Sequence, residues 1–93
     1  MQWEKSAVDK LNELLQVVRE PFREIMKSNA QTHAEQYAIM RNSPHISIRE
    51  AVLGFLRARS HKLNQEGLMI LEEQKLTEKD FLNYPSNPIA PQS

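Results

Sequence analysis

Three histidines are the side chains of this 93-residue chain best suited to acid–base or metal chemistry. His33, His45 and His61 are never three or four positions apart, so no two share a helical face, and no cysteine is present to complete a site. A metal centre needs about four converging ligands. The sequence therefore predicts no metal and no cofactor. It also predicts that His33 is partly buried and bonded to a backbone group or a carboxylate.

The carboxylates are the second candidate for chemistry, and they are numerous. They lie at ordinary helical spacings on polar faces, whereas acid–base catalysis needs groups with perturbed pKa values in a cleft. The chain has no glycine-rich phosphate loop and no nucleophile elbow. We therefore predict no catalytic residues and a protein that is not an enzyme.

Arg59 is the one charged residue at a position where the helical pattern predicts an apolar side chain. At 100° per residue it lies on the same line as Val52 and Phe55, inside the apolar stripe of a helix. An arginine there must extend to solvent, pair with an acid such as Glu20 or Glu24, or contact a partner protein.

The first helical element carries an apolar seam with spacings of three and four: Val8, Leu11, Leu15, Val18, Phe22 and Ile25. Ser6 and Asp9 form a capping pair at its start. Leu14 and Val17 widen the seam, which favours a globular bundle and makes both residues candidates for partner contact. Pro21 predicts a kink, or a break and restart. The unbroken phase of the seam favours the kink.

Two further helices follow in the predicted bundle. Lys27–Asn29 forms a polar break, and a short, alanine-rich helix spans residues 30–41. Ser47 and Glu50 form a capping box that starts the third helix. We expect this helix to end near Gly67 and to carry Gly54 on its outer face.

The C-terminal third combines a helical segment with a tail. The apolar run Leu68–Leu71 is predicted to be helical, and Thr77 with Asp80 caps a short helix. The proline-rich residues 85–93 predict a disordered or polyproline-like tail, whose removal should leave the melting temperature almost unchanged.

Composition sets the class of the protein. The chain has 40% hydrophobic residues, two glycines and little alternation typical of strands, which predicts a single all-α domain over residues 1–84. Leu15, Phe22, Val52 and Phe55 should be among its most buried residues. Its formal net charge of zero argues against nucleic acid or an anionic membrane surface as the main partner. The lack of cysteine, of a signal peptide and of a membrane span predicts a cytoplasmic protein.

Several short motifs together resemble one protein family. Asp9-Lys10-Leu11-Asn12, followed by Phe22-Arg23-Glu24, resembles the first helix of the theta subunit of bacterial DNA polymerase III and its phage homologue. Ala34-Glu35, Pro44, Ile48-Arg49, Leu56 and Ala58 are similar to its later helices if a short insertion is allowed, so the resemblance covers about residues 8–63. It implies a small three-helix protein without catalysis that binds the proofreading exonuclease subunit. Pro21, Leu68–Leu71 and the longer tail depart from the family pattern.

The sequence thus favours a protein-interaction module or accessory subunit. A homodimer is expected, because the second helix is too small to cover the apolar surface of the others. Its interface should involve Leu68–Leu71 or the outer flank of the first helix. A nucleic-acid-binding protein that uses the basic third helix is the alternative. The predicted partner-binding residues are Trp3, Leu14, Val17, Arg59, Leu68, Met69, Ile70 and Leu71.

Overall fold

The computed structural model describes residues 2–86, which form a mostly helical domain. In chain order the elements are β1 (Gln2–Trp3), α1 (Lys5–Leu15), α2 (Phe22–Met40), β2 (His45–Ile46), α3 (Ile48–Arg59), α4 (Gln65–Glu73) and α5 (Glu78–Leu82). The predicted all-α class is confirmed, apart from two short parallel strands that place Gln2 opposite His45 and Trp3 opposite Ile46. Most of the predicted tail, from residue 87 on, lies outside the described residues.

Helix α3 lies at the centre of the domain. Every residue from Glu50 to Leu56 is buried, because α2 and α1 pack against it and α4 and α5 contact it as well. The capping box predicted at its start is present, with the Ser47 N–H donating to the Glu50 carboxylate over 2.9 Å. The fifteen buried hydrophobic residues of the described chain form one cluster: Ala7, Leu11, Leu15, Ala30, Ala34, Tyr37, Ala38, Ile46, Ala51, Val52, Leu53, Phe55, Leu56, Leu71 and Phe81.

Gly54 lies at the tightest contact between α2 and α3. A Cβ atom built on it would lie 2.5 Å from the Ala30 carbonyl oxygen and 2.7 Å from the Ala34 backbone nitrogen. Its predicted position on the outer face of α3 is therefore wrong. Glycine and the two alanines let the helix backbones approach each other closely.

The predicted first helix is two helices. Helix α1 ends at Leu15, and Pro21 directly precedes α2, where its missing N–H costs no intrahelical bond. The peptide bond between Glu20 and Pro21 is cis. Arg23 Nε lies 3.1 Å from the carbonyl oxygens of both Leu15 and Val18, which links the turn to the start of α2. The chain therefore breaks and restarts, and the kink that the seam favoured is wrong.

Two other predictions are also wrong, one for the break at Lys27–Asn29 and one for the start of the first helix. Helix α2 runs without interruption through Lys27–Asn29, since residues 22–40 form one helix. Helix α1 begins at Lys5 without a side-chain cap, and Asp9 instead pairs with Lys5 at 3.0 Å.

The C-terminal elements follow the predicted order with shifted boundaries. Helix α3 ends at Arg59, and the Asn64 side chain caps α4 by accepting the Gly67 N–H over 2.8 Å. Gly67 therefore lies in the first turn of α4, not at the end of α3. Leu68–Leu71 is helical as predicted, and the Thr77–Asp80 cap is present. Lys75, between α4 and α5, adopts a left-handed conformation with a φ of 58°.

Candidate functional site

The three histidines do not converge. His33 lies on α2, His45 on β2 and His61 after α3. Within residues 2–86, no group of three or more histidine, aspartate or glutamate side chains could hold a metal ion. A small hollow between α3 and α4, open to solvent, is lined in part by Leu56, Arg59 and Asn64, and it brings no acid and base together.

His33 is half-buried, as predicted, but its partner is neither a backbone group nor a carboxylate. Its Nδ1 lies 2.5 Å from the Tyr84 hydroxyl, and the two rings meet edge to face. Burial lowers the pKa of His33 below its usual 6.5, and the nearby positive charges of Arg57 and His61 lower it further. The neutral imidazole is therefore favoured at this position.

The C-terminal segment is held by a cluster that we call the C-terminal clamp, formed by His33, Tyr37, Arg57, Phe81 and Tyr84. The Phe81 carbonyl oxygen accepts hydrogen bonds from the Tyr37 hydroxyl at 2.6 Å and from Arg57 at 3.1 Å. The Arg57 guanidinium also lies over the Tyr84 ring, 4.1 Å from its centroid. Burial raises the pKa of Tyr37 and outweighs the opposing effect of its hydrogen bond with Arg57.

A second polar network joins the ends of three helices around buried Glu50. Arg41, just after α2, donates to the Glu50 carboxylate over 2.6 Å. Arg49 bridges Glu50 at 3.3 Å and Asp80 of α5 at 3.1 Å. Burial favours a raised pKa for Glu50, but the bonds from Ser47 and Arg41 outweigh it, and the pKa is lowered below 4.5. This network positions helices.

Arg59 pairs with an acid, although not with either acid named from the sequence. Its Nη1 lies 3.2 Å from a carboxylate oxygen of Glu66, at the start of α4. Glu20 instead pairs with Arg23. This partner was not predicted, because a single helix through Gly67 would place Arg59 and Glu66 two turns apart. In the structure α3 ends at Arg59 and a new helix begins at Gln65, which brings the two side chains together.

The predicted partner-binding residues do not form one surface. Trp3, Leu14 and Ile70 are half-buried and pack against the core. Leu71 is only 1% exposed, because it points into the core from α4, and it is not available to a partner. Leu68 and Met69 are exposed on α4, while Val17 is exposed in the α1–α2 turn.

Three of the exposed large hydrophobic residues of the described chain lie close in sequence, in the segment that joins α1 to α2 and in the first turn of α2. Val17, Phe22 and Ile25 are 72%, 63% and 61% exposed. Phe22 and Ile25 are one turn apart on the same face of α2. We call these three residues the α1–α2 surface. The prediction that Phe22 is buried in the core is wrong, because the first helix ends at Leu15 and Phe22 instead begins α2 with its side chain exposed.

Comparisons with protein-family models, with curated proteins and with solved structures find no match to this chain. Among the described residues, none of the helices is both long and apolar enough to cross a membrane.

Proposed function

We propose that this chain is a non-catalytic protein-interaction module whose partner binds at the α1–α2 surface. The observation that carries the proposal is the exposure of Val17, Phe22 and Ile25, each above 60%. Single exposed hydrophobic residues are common, whereas neighbouring ones that form a contiguous apolar patch are typical of interaction sites, and Phe22 and Ile25 are neighbours one turn apart on α2. The partner is another protein or a second copy of the chain. The cysteine-free composition supports a cytoplasmic location.

Val17, Phe22 and Ile25 do not belong to the core of the domain. The core is complete without them, since Leu15, Tyr37 and Phe55 are buried by other elements. When a second surface covers an exposed phenylalanine or isoleucine, the burial of apolar area is favourable by roughly 25 cal/mol per Å². This supports a bound state in which the α1–α2 surface is covered.

The resemblance to theta subunits suggests one specific partner, the proofreading exonuclease subunit of a bacterial DNA polymerase. Phe22, one of the residues that carry the resemblance, is also part of the α1–α2 surface. We include this subunit among the partners to be tested.

The alternative of nucleic-acid binding through the basic third helix has less support. Arg49 pairs with Glu50 and Asp80, Arg59 pairs with Glu66, and Arg57 is enclosed by aromatic rings. Phosphate binding depends on basic groups that are free to replace counterions, and these three already have partners.

The test compares the wild-type chain with a Phe22→Ser/Ile25→Ser variant and a matched control, Leu82→Ser. Leu82 is 61% exposed, as Ile25 is, but lies on α5. Each chain is titrated with the purified exonuclease subunit and studied alone by sedimentation equilibrium. We expect the double variant to stay folded and to lose association with the exonuclease or with itself, while Leu82→Ser keeps it.

Two results would contradict the proposal. One is equal association by all three chains, which would place any interface elsewhere. The other is salt-sensitive, micromolar binding of duplex or single-stranded DNA by all three chains, which would favour the nucleic-acid alternative.

A further inference from the structure

We propose that the C-terminal clamp contains a pH-sensitive switch: when His33 takes up a proton, Tyr84 leaves the clamp while Phe81 stays in place. The clamp puts His33 and Arg57 against the same tyrosine ring, and neither forms an ion pair with a carboxylate among residues 2–86. The switch does not involve the α1–α2 surface, so it stands or fails separately from the proposed function.

Tyr84 is the last side chain of the described residues that is bonded to the rest of the domain. Its hydroxyl lies 2.5 Å from Nδ1 of His33. Its backbone N–H donates only within the C-terminal segment, to the Leu82 carbonyl oxygen at 2.9 Å. Helix α5 ends before it, at Leu82, and only residues 85–86 of the described chain follow. Tyr84 can therefore leave the clamp without the loss of a helix, which is the kind of local opening that needs little free energy.

Helix α5 is attached through other bonds. Phe81 is fully buried, and its carbonyl oxygen accepts hydrogen bonds from Tyr37 at 2.6 Å and from Arg57 at 3.1 Å. Asp80 pairs with Arg49 at 3.1 Å. These contacts remain when the tyrosine at position 84 leaves. The opening therefore ends there, and the acid of α5 at position 80 stays paired with Arg49.

A proton on His33 meets no compensating negative charge in the clamp. The titratable groups that face it are Arg57 from α3, His61 from the segment after α3, Tyr84 from the C-terminal segment and Tyr37 from its own helix. Two of them are basic, and burial raises the pKa of both tyrosines, so neither hydroxyl supplies a negative charge near neutral pH. The protonated clamp thus gathers positive charge only.

The burial of this charge is what opposes protonation while Tyr84 is in place. The hydrogen bond itself does not, because a protonated Nδ1 can donate to the hydroxyl oxygen. The Tyr84 ring lies against the imidazole, with 5.5 Å between centroids, and keeps water from a charge there. The Arg57 guanidinium, 4.1 Å from the centroid of the same ring, adds like-charge repulsion.

These effects set the direction of the switch. Burial and the charge of Arg57 both lower the pKa of His33 from 6.5 while Tyr84 is in the clamp. By linkage, a proton on His33 weakens the attachment of Tyr84 by the same factor by which Tyr84 weakens the binding of the proton. Tyr84 is therefore attached at neutral pH and is released as the pH falls below 6.5.

NMR spectroscopy of the full chain follows both events between about pH 7.5 and pH 5. The imidazole Cε1–H shift reports the titration of His33, and the heteronuclear NOE of the Tyr84 amide reports its mobility. We expect this NOE to fall from the value seen in α5 to that of a free chain end, with the same midpoint as the His33 titration, while the α3 signals stay unchanged. His33→Gln should keep Tyr84 attached throughout. His45→Gln, which removes an exposed histidine of β2, should behave as wild type.

Tyr84→Ala keeps the test decisive if His33→Gln no longer holds Tyr84 at neutral pH. Loss of the ring exposes the imidazole to water, so the pKa of His33 should rise towards 6.5. A tenfold gain in proton affinity corresponds to a tenfold weaker attachment of Tyr84 to the protonated clamp. An unchanged His33 titration in Tyr84→Ala would overturn the proposal. So would a wild-type Tyr84 that stays attached after His33 is protonated, or one that is released by acid in His33→Gln as well.

Discussion

The close approach of α2 and α3 makes Gly54→Ala the most informative single substitution in this domain. In an exposed helix, alanine would be more stable than glycine by about 1 kcal/mol. Here the added methyl group would lie 2.5 Å from the Ala30 carbonyl oxygen and 2.7 Å from the Ala34 nitrogen. Both are backbone atoms, so relief requires α2 to move away from α3 along their whole contact.

Overpacking of a tight core costs about 1–3 kcal/mol and occasionally more. Because the obstructing atoms belong to a helix backbone, we take the upper end of that range, a cost of about 3 kcal/mol. The higher helix propensity of alanine offsets about 1 kcal/mol of this cost. The net expectation is a loss of about 2 kcal/mol in the free energy of unfolding. For a domain of this size it corresponds to a drop of roughly 8–16 °C in Tm.

Urea denaturation measures this loss directly, as a lower midpoint with an unchanged m value. Gly67→Ala is the matched control, because its added methyl group meets only the ends of side chains, at 3.2 Å from Leu63 and 3.4 Å from Asn64. We expect Gly67→Ala to lose no stability, because a helix-propensity gain of up to about 1 kcal/mol offsets the small shift that the Leu63 side chain must make. Wild-type or higher stability of Gly54→Ala would refute the reasoning about close packing.

Two further predictions concern titrating groups. Glu50→Gln should lower the free energy of unfolding by about 2 kcal/mol at pH 7, since it leaves Arg41 and Arg49 without their buried carboxylate. The pKa of Glu50 in the folded state is lowered below 4.5, so the wild-type advantage in urea denaturation should persist above that pH and decline as the pH falls below it. The folded pKa of His33 lies below 6.5, so the unfolded state takes up its proton first and wild-type stability should fall as the pH drops below about 6.5. His33→Gln should remove that part of the slope in thermal melts, and an unchanged slope would mean that His33 is not responsible.

The sequence predicted several parts of the fold that depend on local chemistry, although the local signals at Ser6–Asp9 and Lys27–Asn29 were misleading. The Ser47–Glu50 and Thr77–Asp80 caps were found because side chain and backbone satisfy each other within four residues. The burial of Val52 and Phe55 followed from helical periodicity. These signals do not depend on what packs against the helix.

The other errors arose where tertiary packing decides. The phase of the apolar seam continued through Pro21, but periodicity contains no information on whether a helix continues or turns back. Phe22 and Ile25 were therefore assigned to a core that they do not reach, and of the α1–α2 surface only Val17 was named as a partner-binding residue. Pro21 was the available signal, and the break is the alternative that it left open. The face of Gly54 and the partner of Arg59 likewise depend on which helices meet.

Because the segment Glu50–Leu56 of α3 is buried on all sides, it has no face that evolution can vary freely. Helices usually show a tolerance to substitution that rises and falls every three to four positions, as sides alternate between core and water. From Glu50 to Leu56 that rhythm should be absent, since all seven positions are buried. In a saturation mutagenesis profile this segment would look like a continuous intolerant block, resembling a buried strand more than a helix. A method that infers secondary structure from the periodicity of such a profile would misassign the central helix of this domain.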